Sequence, residues 1–310
     1  MSWTSDNIDP LDDTTALVTG PDSGIGYQVT KALAEHGATV IMAAKTEQQG
    51  QEARNDLETK IETPDLSVIE CDLGDLESIE TATTNVHEQT DTLDILCNNA
   101  GVMALPYQET ADGFEYQMGV NHLGHFALTL QLLPLLTAGE QQSRVITQSS
   151  GMHERGQIDP TDLMPEEYDR WQAYANSKLA NILFAYELDR KAKTHDRDLV
   201  SVATHPGYAD TNLQYRGPKQ DGNRIKTAIM RIMGYLFAQS PAAGALPMLY
   251  AATETGIDGR TYWGPDGLMN MRGSPEQQQS SDQSYDTVLA QDLWEQSEQL
   301  TGCSFTESLP

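Results

Sequence analysis

Six short runs rich in β-branched residues alternate with helix-length segments, and this alternation restricts the fold more than any other feature of the chain. The runs are Thr15-Ala-Leu-Val-Thr19, Ala38-Thr-Val-Ile-Met42, Leu66-Ser-Val-Ile69, Leu93-Asp-Ile-Leu96, Arg144-Val-Ile-Thr147 and Val200-Ser-Val-Ala203. Helical patterns lie between them over 25–36, 47–60, 76–88, 121–137 and 171–193. Strand followed by helix is a βαβ unit, which sets successive strands parallel in one sheet with helices on both faces. Right-handed crossovers then give an α/β, Rossmann-type doubly wound sheet. No linker divides the chain, so 1–310 reads as a single dinucleotide-binding domain. Residues 208–239 read as an insertion after the sixth strand. The tail, 273–310, is rich in Gln, Ser and Asp. Within it Val288, Leu289, Leu293, Trp294 and Leu300 have helical spacing and predict a docked final helix.

Charge narrows the partners. Asp and Glu number 46 against 19 Lys and Arg, a net charge of -27 dispersed along the chain. A nucleic acid would be repelled. Dispersed surface carboxylate suits a halophilic protein, because charges are screened over about 3 Å at 1 M salt. The three cysteines, Cys71, Cys97 and Cys303, have no metal-like spacing and fit buried thiols in a reducing cytoplasm. The first eleven residues show no basic-then-apolar signal pattern. Two charge-poor stretches, 116–139 and 232–253, are interrupted by Asn121, His122, His125 and Pro134 and by Pro241 and Pro247. Both read as buried helices rather than membrane spans.

The first strand runs into Thr19-Gly-Pro-Asp-Ser-Gly-Ile-Gly26. Gly20, Gly24 and Gly26 permit a sharp turn and a close approach of backbone to a pyrophosphate, which then faces a helix N-terminus. The second strand ends in Ala43-Ala-Lys45, where folds that take NAD place an acid for the ribose 2′-hydroxyl. A basic residue suits a 2′-phosphate, so NADP(H) is favoured. NAD(H) stays open because Asp22 lies in the glycine loop, and Lys45 also reads as a solvated lysine at a helix start.

Tyr174 and Lys178 are four apart on a helix and share a face. An ammonium beside a phenol favours the phenolate, and a tyrosine so tuned exchanges protons near neutral pH. Ser150 follows the fifth run, at the carboxyl end of a strand where ligands of parallel sheets sit. His122, His125 and His153 have no carboxylate or Cys at useful spacing, so they read as core histidines and no metal is expected.

The chain resembles the short-chain dehydrogenase/reductase family, in its branch with an extended substrate loop, near retinol dehydrogenase-like and protochlorophyllide reductase-like members. The segments that carry the resemblance are the glycine loop, Asn98-Asn-Ala-Gly101, Asn121-His-Leu-Gly-His-Phe126, Ser149-Ser150, Tyr174 to Lys178 with Leu-Ala-Asn181, and His205-Pro-Gly207. Trp263-Gly-Pro-Asp-Gly267 and Arg272-Gly-Ser-Pro275 add to it. The resemblance implies Tyr174 as catalytic acid/base and Lys178 as the group that lowers its pKa and binds the nicotinamide ribose. It implies that Ser150 polarises the reacting oxygen and that Asn121 holds a proton-relay water. Cofactor contacts would come from Gly20, Ser23, Gly24, Ile25, Gly26 and Lys45, with Tyr174 and Lys178. Asp72 and Leu73 would lie at the adenine, Asn99, Ala100 and Gly101 beside the adenosine, and Pro206, Gly207 and Thr211 at the nicotinamide. Pro21-Asp22 and Ala44-Lys45 depart from the family's usual Ala or Gly with Asn, and from Cys-Arg.

The expected function is an NAD(P)(H)-dependent oxidoreductase acting on a small-molecule alcohol or carbonyl compound of lipophilic character. A catalytically idle dinucleotide-binding redox sensor is the alternative, and protochlorophyllide reduction ranks last. Arg216, Lys219, Arg224, Lys226 and Arg231 lie in the insertion before Ile232, Met233, Tyr235, Leu236 and Phe237. That pattern reads first as a substrate lid, then as a partner for the protein's own carboxylates, and last as a membrane contact. The family resemblance implies a homodimer or homotetramer.

Overall fold

A computed structural model describes residues 2–164, 167–207, 240–267, 270–306 and 308–309. Six strands fall on the predicted runs: β1 (Thr15–Thr19), β2 (Thr39–Ala44), β3 (Leu66–Glu70), β4 (Ile95–Asn98), β5 (Ser143–Gln148) and β6 (Leu199–Thr204). Two more, β7 (Tyr262–Pro265) and β8 (Pro275–Gln278), extend the sheet to eight strands in the order β3-β2-β1-β4-β5-β6-β7-β8. All neighbours are parallel except β7 and β8, which are antiparallel. The order reverses direction at β1, so a crevice opens between the carboxyl ends of β1 and β4.

The period of two along each strand divides the core. Leu17, Ile41, Ile69, Leu96 and Val145 face one layer of helices, while Ala16, Val18, Val40, Met42, Cys97 and Ile146 face the other. The second layer holds α1 (Gly24–Glu35) and α2 (Glu47–Glu58). The first holds α3 (Leu76–Gln89).

A single turn α4 (Tyr116–Met118) precedes the predicted helix over 121–137, which is itself divided among a wide π-type turn (Gly119–Leu123), α5 (Gly124–Gln131) and α6 (Leu133–Leu136). Pro134 sits in the first turn of α6, where its missing N–H breaks no intrahelical bond. The strand predicted over 93–96 starts two residues later, because the Leu93 amide donates to Leu135 O instead of joining the ladder.

The long α7 (Arg170–Thr194) begins under an Asp169 cap whose carboxylate accepts from the Trp171 and Gln172 amides. Beyond it come α8 (Pro241–Thr253) and α9 (Thr287–Thr301). The predicted tail helix therefore exists, and it docks through Trp294, which packs on Phe126 at 4.9 Å and on Phe184 at 5.8 Å. The predicted insertion over 208–239, with its basic segment and Thr211, lies outside the described residues.

Cys71 and Cys97 are buried and Cys303 is partly exposed. Burial pushes the first two thiols up to about 12. Among the described residues no helix is long and apolar enough to cross a membrane.

Candidate active site

The turn after β1 has to leave a closed sheet and enter a helix within a few residues. Gly20 manages this at φ +63°, a left-handed conformation that an L side chain rarely adopts. Gly26 then lies against the same turn. A Cβ there would be 2.1 Å from Gly20 O and 2.4 Å from Asn99 Nδ2. Ser23 is extended at the start of α1 and its hydroxyl does not cap the helix, so the first-turn N–H groups, including those of Ile25 and Gly26, are left to bind an anion. This backbone cradle, held open by glycine at a helix N-terminus, fits the pyrophosphate of a dinucleotide. Gly26→Ala is expected to destabilise the fold by about 1–3 kcal/mol through overpacking and to abolish dinucleotide binding. Thermal melts and a cofactor titration check both.

Thr19 ties the cradle to the next crossover. Its Oγ1 accepts from the Asn99 and Ala100 amides, each at 2.9 Å, and Asn99 Nδ2 donates to Thr19 O at 2.9 Å. Those three contacts fix the loop that contains Gly101. A Cβ on Gly101 would lie 3.0 Å from Asn121 Oδ1 and 3.4 Å from Lys178 Nζ. The small residue therefore sits directly against two of the predicted catalytic groups.

Farther along the sheet, Lys45 at the end of β2 meets Asp72 just beyond β3. The Nζ–Oδ2 distance is 3.0 Å, and Nζ also donates to Tyr116 Oη at 2.9 Å. Burial pulls the Lys45 ammonium down, but the bonds to Tyr116 and Asp72 outweigh it and its pKa is raised. Asp72 Oδ1 accepts from the Gly74 amide at 2.9 Å, and the adjacent Leu73 is buried.

The catalytic candidates converge beyond β5. Tyr174 and Lys178 share a face of α7, with Lys178 Nζ 5.8 Å from the Tyr174 ring centre. Lys178 Nζ donates to Gln148 O at 3.1 Å, where Asn181 Nδ2 also donates at 2.9 Å. Ser149 Oγ donates to Lys178 O at 2.7 Å, so the end of β5 is pinned to α7. Ser150 follows, with its hydroxyl near enough to the Tyr174 phenol to favour the phenolate.

Asn121 is fully buried in the π-type turn. Its Oδ1 accepts from the Val102 amide at 2.7 Å, and its Nδ2 donates to Val102 O and to Ser177 Oγ, both at 2.9 Å. Ser177 Oγ donates in turn to Tyr174 O at 2.8 Å. The Asn121 side chain thus holds the β4 loop to α7.

The electrostatics correct one expectation, that Lys178 lowers the Tyr174 pKa. Instead, burial pushes the phenol up to about 12, opposed by the hydrogen bond from Ser150, while burial brings the Lys178 ammonium down to about 7. Both groups are out of water, and desolvation penalises the charged form of each. The pair therefore rests with a protonated phenol beside an amine that titrates near neutrality.

His125 belongs to this network although its sequence pattern points only to a core position. Its Nδ1 donates to Asn121 O at 3.0 Å, which leaves the Nε2 lone pair to accept from Thr19 Oγ1 at 2.9 Å. It connects the cradle to the Asn121 turn. Ser177 is a further residue that the motifs do not single out, although it lies three residues beyond Tyr174 on the same helix face. Among the described residues no group of three or more His, Cys, Asp or Glu could hold a metal ion. Pro206 and Gly207 follow β6 on the same side of the sheet, with Gly207 N donating to His205 Nδ1 at 3.2 Å.

Known proteins share this arrangement of chain. The family described as short chain dehydrogenase matches residues 14–221. Human retinol dehydrogenase 13 is 35% identical over 293 residues, covering 93% of this chain and 84% of its own. Mouse polyprenol dehydrogenase is 38% identical over 256 residues, covering 81% and 75%. The crystal structure of an uncharacterized protein from Mycobacterium paratuberculosis superposes with a TM-score of 0.80 at 35% identity, over 98% of this chain and 99% of that one.

Proposed function

The chain belongs to the short-chain dehydrogenase family, and on that premise we propose that it interconverts a lipophilic alcohol and its carbonyl partner with a nicotinamide cofactor, NADP(H) in preference to NAD(H). The observation that carries the reading is the meeting of Ser150, Tyr174, Lys178 and Asn121 at the strand ends beside the glycine cradle. An idle redox sensor has no use for a buried lysine held against a buried phenol. The relatives named for retinol and polyprenol support an isoprenoid-like substrate.

A nicotinamide bound along the cradle would supply or accept the hydride. The chain's own part is orientation and proton handling. Ser150 Oγ and the Tyr174 phenol, which lie close together, present two hydroxyls to one substrate oxygen. The raised pKa of Tyr174 keeps it protonated at physiological pH, the form that donates to a carbonyl oxygen as charge develops there. Lys178, near 7, takes up or releases a proton at little cost and answers the phenolate charge once the proton has left.

Lys45 supports the NADP(H) preference. Its pairing with Asp72 is half-exposed, and such a pair contributes only about 0–1 kcal/mol. A charge-assisted bond to a 2′-phosphate contributes about 1.5–3 kcal/mol and displaces it. Lys45→Ala is expected to weaken NADPH by about tenfold to a hundredfold while NADH binding barely changes. Equal weakening of both cofactors removes Lys45 from the phosphate site.

The test of the whole reading is a titration with NADPH and NADH in molar salt, followed by a panel of long-chain aldehydes and ketones read at the nicotinamide band. Turnover of any member with NADPH supports it. A folded protein that binds neither cofactor refutes it.

A further inference from the structure

Three buried histidines sit beside the candidate site residues in sequence. His122 follows Asn121, His153 lies three residues beyond Ser150, and His205 precedes Pro206. All three are fastened to one stretch of chain, 278–297, well beyond the residues that match the family. His205 Nε2 is 3.0 Å from Gln278 Oε1, His153 Nε2 is 3.0 Å from the Ser281 amide, and His122 Nε2 is 2.9 Å from Ser297 Oγ.

The partners dictate where each proton lies. Ser150 O can only accept, so His153 Nδ1, at 2.8 Å from it, carries the hydrogen. Its Nε2 lone pair then receives the Ser281 N–H. The Gly207 amide donates to His205 Nδ1, so His205 Nε2 is the donor to Gln278. Ser297 Oγ gives its own hydrogen to Leu293 O at 2.7 Å and therefore accepts from His122 Nε2. Each ring is neutral and acts as a fixed link.

The His153 link closes a circuit around the reacting hydroxyls. Ser150 lies past the end of β5 and opens a short 3-10 turn (Gly151–Arg155), so it belongs to neither a strand nor a long helix. His153 joins its carbonyl to Ser281. The neighbouring Ser280 Oγ bonds Tyr186 Oη on α7 at 2.9 Å, and α7 carries Tyr174 and Lys178. Beside the Ser149–Lys178 bond at the end of β5, a second route from Ser150 to α7 thus runs through the C-terminal segment.

We propose that residues 278–297 form a positioning strap, with His153 as the residue that sets Ser150 against Tyr174 by clasping the Ser281 backbone. As a statement about catalysis this rests on the oxidoreductase reading above; as a statement about the clasp it stands on the contacts alone.

Ser281 offers a clean test. Its φ of -63° and ψ of 152° suit proline, so Ser281→Pro deletes the donated N–H while keeping the backbone path. Ser281 Oγ is buried with no hydrogen-bond partner, so Ser281→Ala keeps the clasp and serves as its control. His153→Leu removes both links, and His153→Gln retains one donor and one acceptor. Hydrogen exchange of the 150–156 amides is expected to accelerate in Ser281→Pro and His153→Leu and to stay at the wild-type rate in Ser281→Ala. A displacement of about 1 Å costs on the order of a hundredfold in rate, so kcat is expected to fall about tenfold to a hundredfold in the two disrupted variants with cofactor KM unchanged. His153→Gln recovers most of it, and the double variant that joins His153→Leu with Ser281→Pro is no worse than either alone. Wild-type exchange over 150–156 in Ser281→Pro overturns the strap, as does wild-type kcat in that variant. If the unaltered protein turns over no carbonyl or alcohol, the functional reading fails and the exchange rates alone decide the strap.

Discussion

Replacing Tyr174 with Phe is expected to abolish turnover, with kcat lower by about 10²- to 10⁴-fold, the usual contribution of a positioned acid/base. Cofactor affinity should hardly move, because the cradle is built from the turn after β1 and the loop after β4, whose contacts run through Thr19, Asn99 and Ala100. The fold should survive as well, since Phe fills the same buried volume and loses only the hydroxyl. Steady-state rates beside a fluorescence titration of NADPH separate the two effects. A variant that retains a near-normal rate takes Tyr174 out of the mechanism.

The second large effect is acid sensitivity. Burial lowers the His122 pKa to about 3, and those of His125 and His205 to about 4, from an ordinary 6.5. In the unfolded chain these imidazoles take up protons that the folded chain refuses, so stability falls as the pH drops. It is fully present above 6.5 and is lost progressively toward the folded values. Linkage puts the loss at pH 5 at about 2 kcal/mol for each of the three histidines. Together this is about 6 kcal/mol, comparable with the whole stability of many domains. Protonation of the protein's many carboxylates acts in the opposite sense by relieving self-repulsion, so the comparison belongs in 1 M salt, where that repulsion is screened. Chemical denaturation at pH 7 and pH 5 gives the difference. Equal unfolding free energies would show that the rings are not held neutral.

The positions of the first six strands, and the glycine turn and Tyr174–Lys178 pair around which the candidate site is read, are legible in the sequence because they depend on local signals. β-Branched runs mark buried parallel strands, and glycine at three places in one turn marks a backbone that has to pass close to something. What is not legible depends on distance along the chain. β7 and β8 are four residues each and lack a hydrophobic run; Pro275–Gln278 is a polar edge that becomes a strand only because β7 is there to pair with it. The helix read over 121–137 is broken because the turn has to carry the buried Asn121, which periodicity does not register. The Tyr174 and Lys178 pKa values move against the expectation for the same reason. Two residues four apart reveal a shared face, but not the burial that moves both pKa values. The histidines look like filler because their partners, Gln278, Ser281 and Ser297, are remote in sequence.

The strap has a consequence for how the protein comes into being on the ribosome. The first three strands leave the tunnel early, and Asn99 and Ala100, which tie down the glycine cradle, follow 80 and 81 residues after Thr19. Ser150 has to wait for Ser281, roughly 130 residues later, which at about 5–20 residues per second is an interval on the order of ten seconds. During that time a nascent chain has its nucleotide-binding half without the clasp that aligns its chemistry. The segment that completes the site is thus translated long after the residues it positions.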